Sequence, residues 1–293
     1  MINLLRAEWI KIVKYRVLMG FLIWLNPVGQ GAFVTIAAIV ALFSRESALP
    51  MAMTSSHQWT TDMMAPWAII TFFPINIIGR LLPLAFMAVV FAGEYEWDTW
   101  KNIIPRSQRV HLFLAKYAVL ASLVTTSILA TGLISALGFA TNHKILGLDY
   151  GPEFNLETFS DFLGDYGQQL LLGLLSLLIL AGVAALAAII TRSILGGLLA
   201  SLGISVVEPM SLALLMFLRS IVNIPGIIKV YLMTPSFHLD NARSWFLEDL
   251  PLAATYVPDG TAISLGLSLT VLAVWAFGLT GLAAYLFQKQ DIT

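Results

Sequence analysis

A chain crosses the hydrocarbon of a bilayer only as a helix of roughly 20 apolar residues or as a closed barrel, and six stretches of this chain meet the helical requirement. They cover about 17–43, 66–92, 112–139, 170–190, 194–218 and 261–287. The first is uncharged, although Asn26, Pro27, Gly29, Gln30 and Gly31 interrupt its middle. The second carries Arg80 and the fifth carries Glu208, while the fourth and sixth carry no charge. Only Thr191, Arg192 and Ser193 separate the fourth from the fifth, which predicts a tight hairpin. The first stretch exceeds the apolar core of a cleavable leader and no A-x-A site follows it, so it reads as a retained span.

Composition agrees with an all-α integral membrane protein. Of 293 residues 58% are hydrophobic and 11% charged, against about 45–50% and about 25% in an ordinary soluble domain. The net charge of −1 leaves no basic stripe for nucleic acid. The absence of Cys removes disulfides, thiolate metal sites and cysteine nucleophiles together. The whole chain reads as one transmembrane domain.

Orientation follows from the bases beside each span. One set of termini and loops holds Arg6, Lys11, Lys14, Arg16, Lys101, Arg106, Arg109, Lys116, Arg192 and Lys289. The opposite loops hold Arg45, Lys144, Arg219, Lys229 and Arg243. Ten against five places both termini in the cytoplasm of a cell inner or plasma membrane, in keeping with an even number of spans.

Residues 1–16, MINLLRAEWIKIVKYR, precede the first span. Ile2, Leu5, Trp9, Ile12 and Val13 gather on one face of a helical wheel, with Asn3, Lys11 and Lys14 opposite. The pattern suits an interfacial helix on the inner leaflet, in contact with membrane lipid; a simple positive-inside anchor is the alternative. The loop at 93–111 opens with Glu94, Glu96 and Asp98 and closes with Arg106 and Arg109. Trp97, Trp100, Ile103 and Ile104 lie at helical spacing before Pro105. Such a helix suits docking on a soluble partner or residence at headgroup level, and composition leaves both open. On the other side, 140–166 is acidic without calcium-loop spacing and reads as a solvated face. The segment 219–260 is semi-apolar and broken by prolines, which predicts short helices at the outer interface. No internal repeat supports an inverted-repeat carrier.

Charge inside a span is costly and usually functional. Arg80 lies thirteen residues before Gly93, and Glu208 fourteen residues after Ile194. Both therefore sit about 20 Å above the inner boundary. Equal depth brings an Arg80–Glu208 ion pair within reach, unless each faces outer water through tilt. Pro209 interrupts the helix beside Glu208. Catalytic signatures are absent: there is no H-E-x-x-H, no G-x-S-x-G and no paired glutamates on a span. His57, His111, His143 and His238 are scattered, which argues against a shared metal site. Without a G-x-x-x-x-G-K-[ST] motif, any ATPase must be a separate polypeptide.

The opening LLRAEWIKIVKYR resembles the start of ABC-2 type permeases, where an acid-aromatic-x-Lys motif sits on a cytoplasmic helix before span one; Glu8, Trp9 and Lys11 match it. FAGEYEWDTWKNIIPRSQRVHLFLAK is similar to the same family's loop between spans two and three, with Glu94, Thr99, Arg109 and Lys116 on the motif positions. Asp98 stands where the family usually has Gly. The resemblance implies a membrane unit of two permease subunits, identical or homologous, above two ABC ATPase subunits that bind ATP and Mg; this chain itself holds no cofactor. It also implies that 93–111 is a coupling helix, with Glu94, Trp97, Asp98, Thr99, Trp100, Arg106 and Arg109 at the contact and Glu8 and Lys11 in support. The expected activity is ATP-driven export of a hydrophobic or amphipathic substrate such as a lipid, peptide or drug. The rival readings are an ATP-independent secondary transporter or channel, and a non-transporting immunity or sensory subunit.

Overall fold

The computed structural model describes residues 2–54, 57–71, 77–97, 108–222, 226–252 and 262–290. Helix α1 (Ile2–Lys14) ends in Lys11 and Lys14, cations placed against the negative end of its dipole. A helical turn (Arg16–Leu18) and a π-helical turn (Met19–Ile23) lead into α2 (Leu25–Phe43). The interruption expected within the first span is therefore a break around Trp24. Pro27 falls in the first turn of α2, where the N–H it lacks would have no intrahelical partner. The Ser127 hydroxyl donates to the Ile23 carbonyl at this break, at 2.5 Å.

Next come α3 (Arg45–Thr54), α4 (Trp59–Thr71) and α5 (Ile77–Glu96). They are followed by α6 (Arg109–Leu146), α7 (Leu156–Thr191) and α8 (Ile194–Val222). A 3-10 turn (Ile227–Met233), α9 (Pro235–Glu248) and α10 (Leu265–Lys289) complete the described elements, among which there is no strand. Four helices, α2, α6, α7 and α10, are long and apolar enough to cross a membrane. A fifth is added if the two halves of α8, Ile194–Glu208 and Met210–Val222, bent by 58°, form one span. The chain is an all-α, multi-pass membrane protein. Among the described residues its candidate spans number four to five, where the hydropathy pattern predicts six. The difference lies in the second stretch, 66–92, which is divided between the 13-residue α4 and the 20-residue α5, with 72–76 outside the described residues.

Helices α6 and α7 form the centre. Helices α1, α2 and α4 pack on α6, α8 and α10 pack on α7, and α5 lies against α7 and α8. Phe86, Met87, Leu112, Phe113, Leu120 and Leu177 are fully buried where these helices meet. Small residues allow the close approach on which helix association in lipid depends. The Val34 side chain fills the space that a Cβ on Gly138 would occupy, and the fully buried Trp67 ring does the same at Gly173. The Trp67 indole N–H donates to Tyr166 Oη at 2.9 Å, which ties α4 to α7 on that face.

At 38 residues α6 is about 57 Å long, well beyond a hydrocarbon thickness of about 30 Å. Much of the expected loop at 140–166 is thus helical extension. Gly147 ends α6 at φ 73, and the Asn155 side chain accepts from the Thr158 N–H to cap α7. Glu157, Asp161 and Asp165 form an exposed stripe on the first turns of α7, where acids suit the positive helix end. The predicted hairpin is present: Arg192 at φ 52 closes α7 and α8 begins at Ile194. The short helices predicted for 219–260 are the 3-10 turn and α9.

A Gly173→Val substitution places a branched side chain in the volume held by Trp67. It is expected to cost about 2 kcal/mol as overpacking, read as a lowered midpoint of thermal unfolding in detergent.

Candidate functional site

Residues far apart in sequence converge where α1, the end of α5 and the start of α6 meet. The Lys116 ammonium is 1% exposed and donates to Glu94 Oε1 at 2.7 Å, to Glu8 Oε2 at 3.1 Å and to the Val90 carbonyl at 3.3 Å. These contacts match the three donors of a lysine. Glu94 also accepts from Lys11, which reaches it from α1. Two carboxylates and two ammonium groups leave the cluster neutral, as burial of charge requires. Burial and the adjacent Lys116 charge hold Lys11 down to about 8, against the opposing pull of Glu8.

The cluster explains how α1 sits. The wheel predicts a single apolar face of Ile2, Leu5, Trp9, Ile12 and Val13. In the structure Glu8 and Ile12 are buried and Leu4 and Leu5 pack on the core, while Ile2, Trp9 and Val13 are exposed. Attraction of Glu8 to Lys116 turns the helix, so one edge of its apolar face docks on protein and the other is left for lipid. Charge spacing places Lys116 among the bases flanking the spans; the structure instead puts it inside the bundle.

Trp97, the last described residue of this segment before 108, stacks edge-on against Tyr15, ring centroids 5.7 Å apart, and lies close over Gly93. With Tyr15, Leu18, Glu94 and Lys116 it lines a cavity of about 120 Å³. Asp98, Thr99, Trp100 and Arg106, together with the rest of 98–107, lie outside the described residues. Arg109 faces inward: its Nη1 donates to the carbonyls of Phe287, Gln288 and Gln290 at 3.0, 3.0 and 2.7 Å, capping the end of α10. The Glu96 carboxylate accepts from Ser193 Oγ and the Ile194 N–H, binding the end of α5 to the hairpin. Of the expected contact residues, Glu8, Lys11 and Glu94 are joined in one cluster and Trp97 is beside it. Arg109 belongs to a neighbouring cap.

Arg80 is helical, in the first turn of α5, but its side chain lies outside the described residues. Glu208 accepts from the Ser236 N–H at 2.9 Å and from the Ser236 hydroxyl at 2.5 Å. It thereby supplies the carboxylate cap at the start of α9.

At the opposite end of the bundle two groups escape spacing arguments. Asp62 is buried, contacts His57 Nδ1 at 2.8 Å and accepts from Tyr150 Oη at 2.9 Å. His57 stacks on Phe139 with centroids 3.7 Å apart, and His143 is 6.2 Å away. Burial and the Asp62 carboxylate push the Tyr150 phenol up, which keeps it a donor. Two of the scattered histidines are therefore neighbours, although among the described residues no group of three His, Cys, Asp or Glu is placed to hold a metal. In the second group, His238 meets Ser268 Oγ at 3.0 Å and the Leu232 carbonyl at 2.8 Å. Asn241 Nδ2 donates to Ser268 Oγ and the Ile263 carbonyl. Each side chain has its partner on a different element, so no local motif announces the network.

Set against family models, curated proteins and solved structures, the chain finds no match.

Glu94→Gln leaves Lys116 buried against a single full carboxylate and is expected to cost about 3 kcal/mol, read by thermal unfolding in detergent. Adding Lys116→Met removes the stranded charge and is expected to recover most of the loss. Burial holds His238 below the ordinary histidine range. As pH falls below about 6.5, the unfolded chain takes up a proton that the native state refuses, so stability is lost toward acid. The protection of α9 amides, relative to their intrinsic exchange rate at each pH, is expected to fall between pH 7 and 5, and a His238→Gln variant to flatten that dependence.

Proposed function

We propose that the chain is the permease subunit of an ATP-binding cassette exporter of the ABC-2 type. One observation carries the reading: the two segments that bear the resemblance, 83 residues apart at Lys11–Glu94 and 108 apart at Glu8–Lys116, meet in one buried cluster. Chance motif matches have no reason to become neighbours. In this reading 93–111 is the coupling segment, and its described start, Glu94 and Trp97, is held against α1. A push on the loop reaches α1 and α6 together, because sliding either past the other would strand a buried charge.

Topology supports the reading. The end of α10, held by Arg109, lies beside α5 and α6 at the end of the bundle where α1 docks. A chain that enters and leaves at one end crosses an even number of times. Counting α4 and α5 together as one crossing and bent α8 as another gives six, with both termini cytoplasmic by the distribution of bases. Two such subunits, identical or homologous, sit above two ATPase subunits that bind ATP and Mg. Membrane lipid surrounds the bundle, and the cargo is hydrophobic or amphipathic.

The cysteine-free sequence permits a direct test. A single Asn102→Cys variant is expected to react with a membrane-impermeant maleimide only from the cytoplasmic side. Co-purification of the cognate ATPase is expected to fall at least tenfold (about 1.4 kcal/mol) on replacing Trp100 by Ala and Arg106 by Glu, with the unfolding midpoint retained. Labelling from the outer medium, or transport by the purified chain without nucleotide, overturns the proposal.

A further inference from the structure

The bend of α8 encloses a second cavity, of about 100 Å³, between α7, α8, α9 and α10. Its lining is apolar (Ile179, Val183 and Leu239 among others) apart from Glu208 and a few hydroxyl groups. Glu208 accepts from the Ser236 N–H and hydroxyl, both neutral donors, and makes no ion pair among the described residues. A carboxylate offers about four lone-pair positions, and two are taken. Ser205, one helical turn before Glu208, is 8% exposed, and its hydroxyl lines the same cavity with no partner. Ile204 is on the rim and Val207 beside it, both exposed on α8, so the cavity opens at the lipid-facing surface.

A half-buried carboxylate that makes no ion pair among the described residues, beside an orphaned hydroxyl in an apolar hollow, is complementary to a protonated amine on an apolar body. We infer that this cavity binds the ammonium head of a long-chain primary amine, which donates to Glu208 and Ser205 while its chain lies along α8 past Ile204. By comparison with the roughly 150 Å³ that hold a benzene ring, the volume admits on the order of four non-hydrogen atoms, an ammonium with its first carbons. A quaternary ammonium has no N–H to give to Ser205. An ethanolamine phospholipid shares the ammonium but brings a phosphate anion close to Glu208, which favours the free amine. The inference deepens the transport reading by naming a substrate class, and rests on that reading only for the claim that the ligand is carried.

The test is equilibrium photolabelling of the full chain in phosphatidylcholine nanodiscs, without nucleotide or ATPase, using a long-chain primary amine with a diazirine beside the nitrogen. Label is expected on 204–208 and 235–239 and is competed by dodecylamine. Glu208→Gln keeps an acceptor for the Ser236 N–H, so α9 stays capped, and is expected to reduce labelling about tenfold, as loss of a charge-assisted contact implies. Ser205→Ala is expected to reduce it a few-fold. Dodecyltrimethylammonium is expected to compete poorly. Competition by added phosphatidylethanolamine supports the ammonium site and names bilayer lipid as its source. Equal labelling of Glu208→Gln, label mapped elsewhere, or equal competition by the trimethylammonium compound overturns the inference. Failure here leaves ATPase association untouched, and failure of that association leaves this binding untouched.

Discussion

A lysine ammonium enters the interior of a helical bundle only when opposite charge enters with it. Lys116 does so, and the two carboxylates that accompany it come from α1 and from the end of α5. Much else at this end of the molecule follows from that requirement. Glu8 must point inward, which sets the rotation of α1 and leaves Trp9 facing outward. Glu94 must stay beside α6, which fixes where the chain departs into 98–107. Trp97 then settles against Tyr15 and over Gly93. The segment after α5 begins from a base tied to three helices, and Glu96 extends the same base to the hairpin between α7 and α8.

The two ends of the bundle are held by different chemistry. Full charges in compensating pairs hold the end near α1, where separation of any partner leaves an ion in a poor solvent. The other end relies on neutral or singly charged hydrogen bonds: Ser236 to Glu208, Ser268 and Asn241 around His238, Tyr150 to Asp62. These are individually weaker, and among the described residues Glu208 meets only the neutral donors of Ser236 beside a cavity. Charge balance thus ties the end near α1 into one unit, while the contacts of the far end are separate hydrogen bonds.

Helix placement was legible in the residue pattern wherever the apolar run was long and unbroken. The third, fourth and sixth stretches became α6, α7 and α10, and Thr191 to Ser193 became the hairpin. The second was harder, because Pro66 lies inside α4 and Arg80 at the start of α5, so hydropathy alone measures the total apolar length and not its continuity. Loop lengths were overestimated at 140–166, since a polar residue above the hydrocarbon remains free to stay helical. Arg109 shows the limit for charged residues: its place beside a loop says nothing of whether it reaches outward or folds back to cap α10.

Residue order alone determined that this chain lives in a bilayer, that its crossings are helical, and roughly where most of them begin, because these depend on local hydropathy and on backbone hydrogen bonds satisfied within each helix. Tertiary structure decided that Lys116 is an interior ion, that Glu8 and Glu94 are its partners, that His57 meets Asp62, and that Glu208 caps α9 beside an open cavity. Pairings of this kind join groups up to 108 residues apart, and they are selected by burial and charge balance, quantities that exist only once the helices have packed.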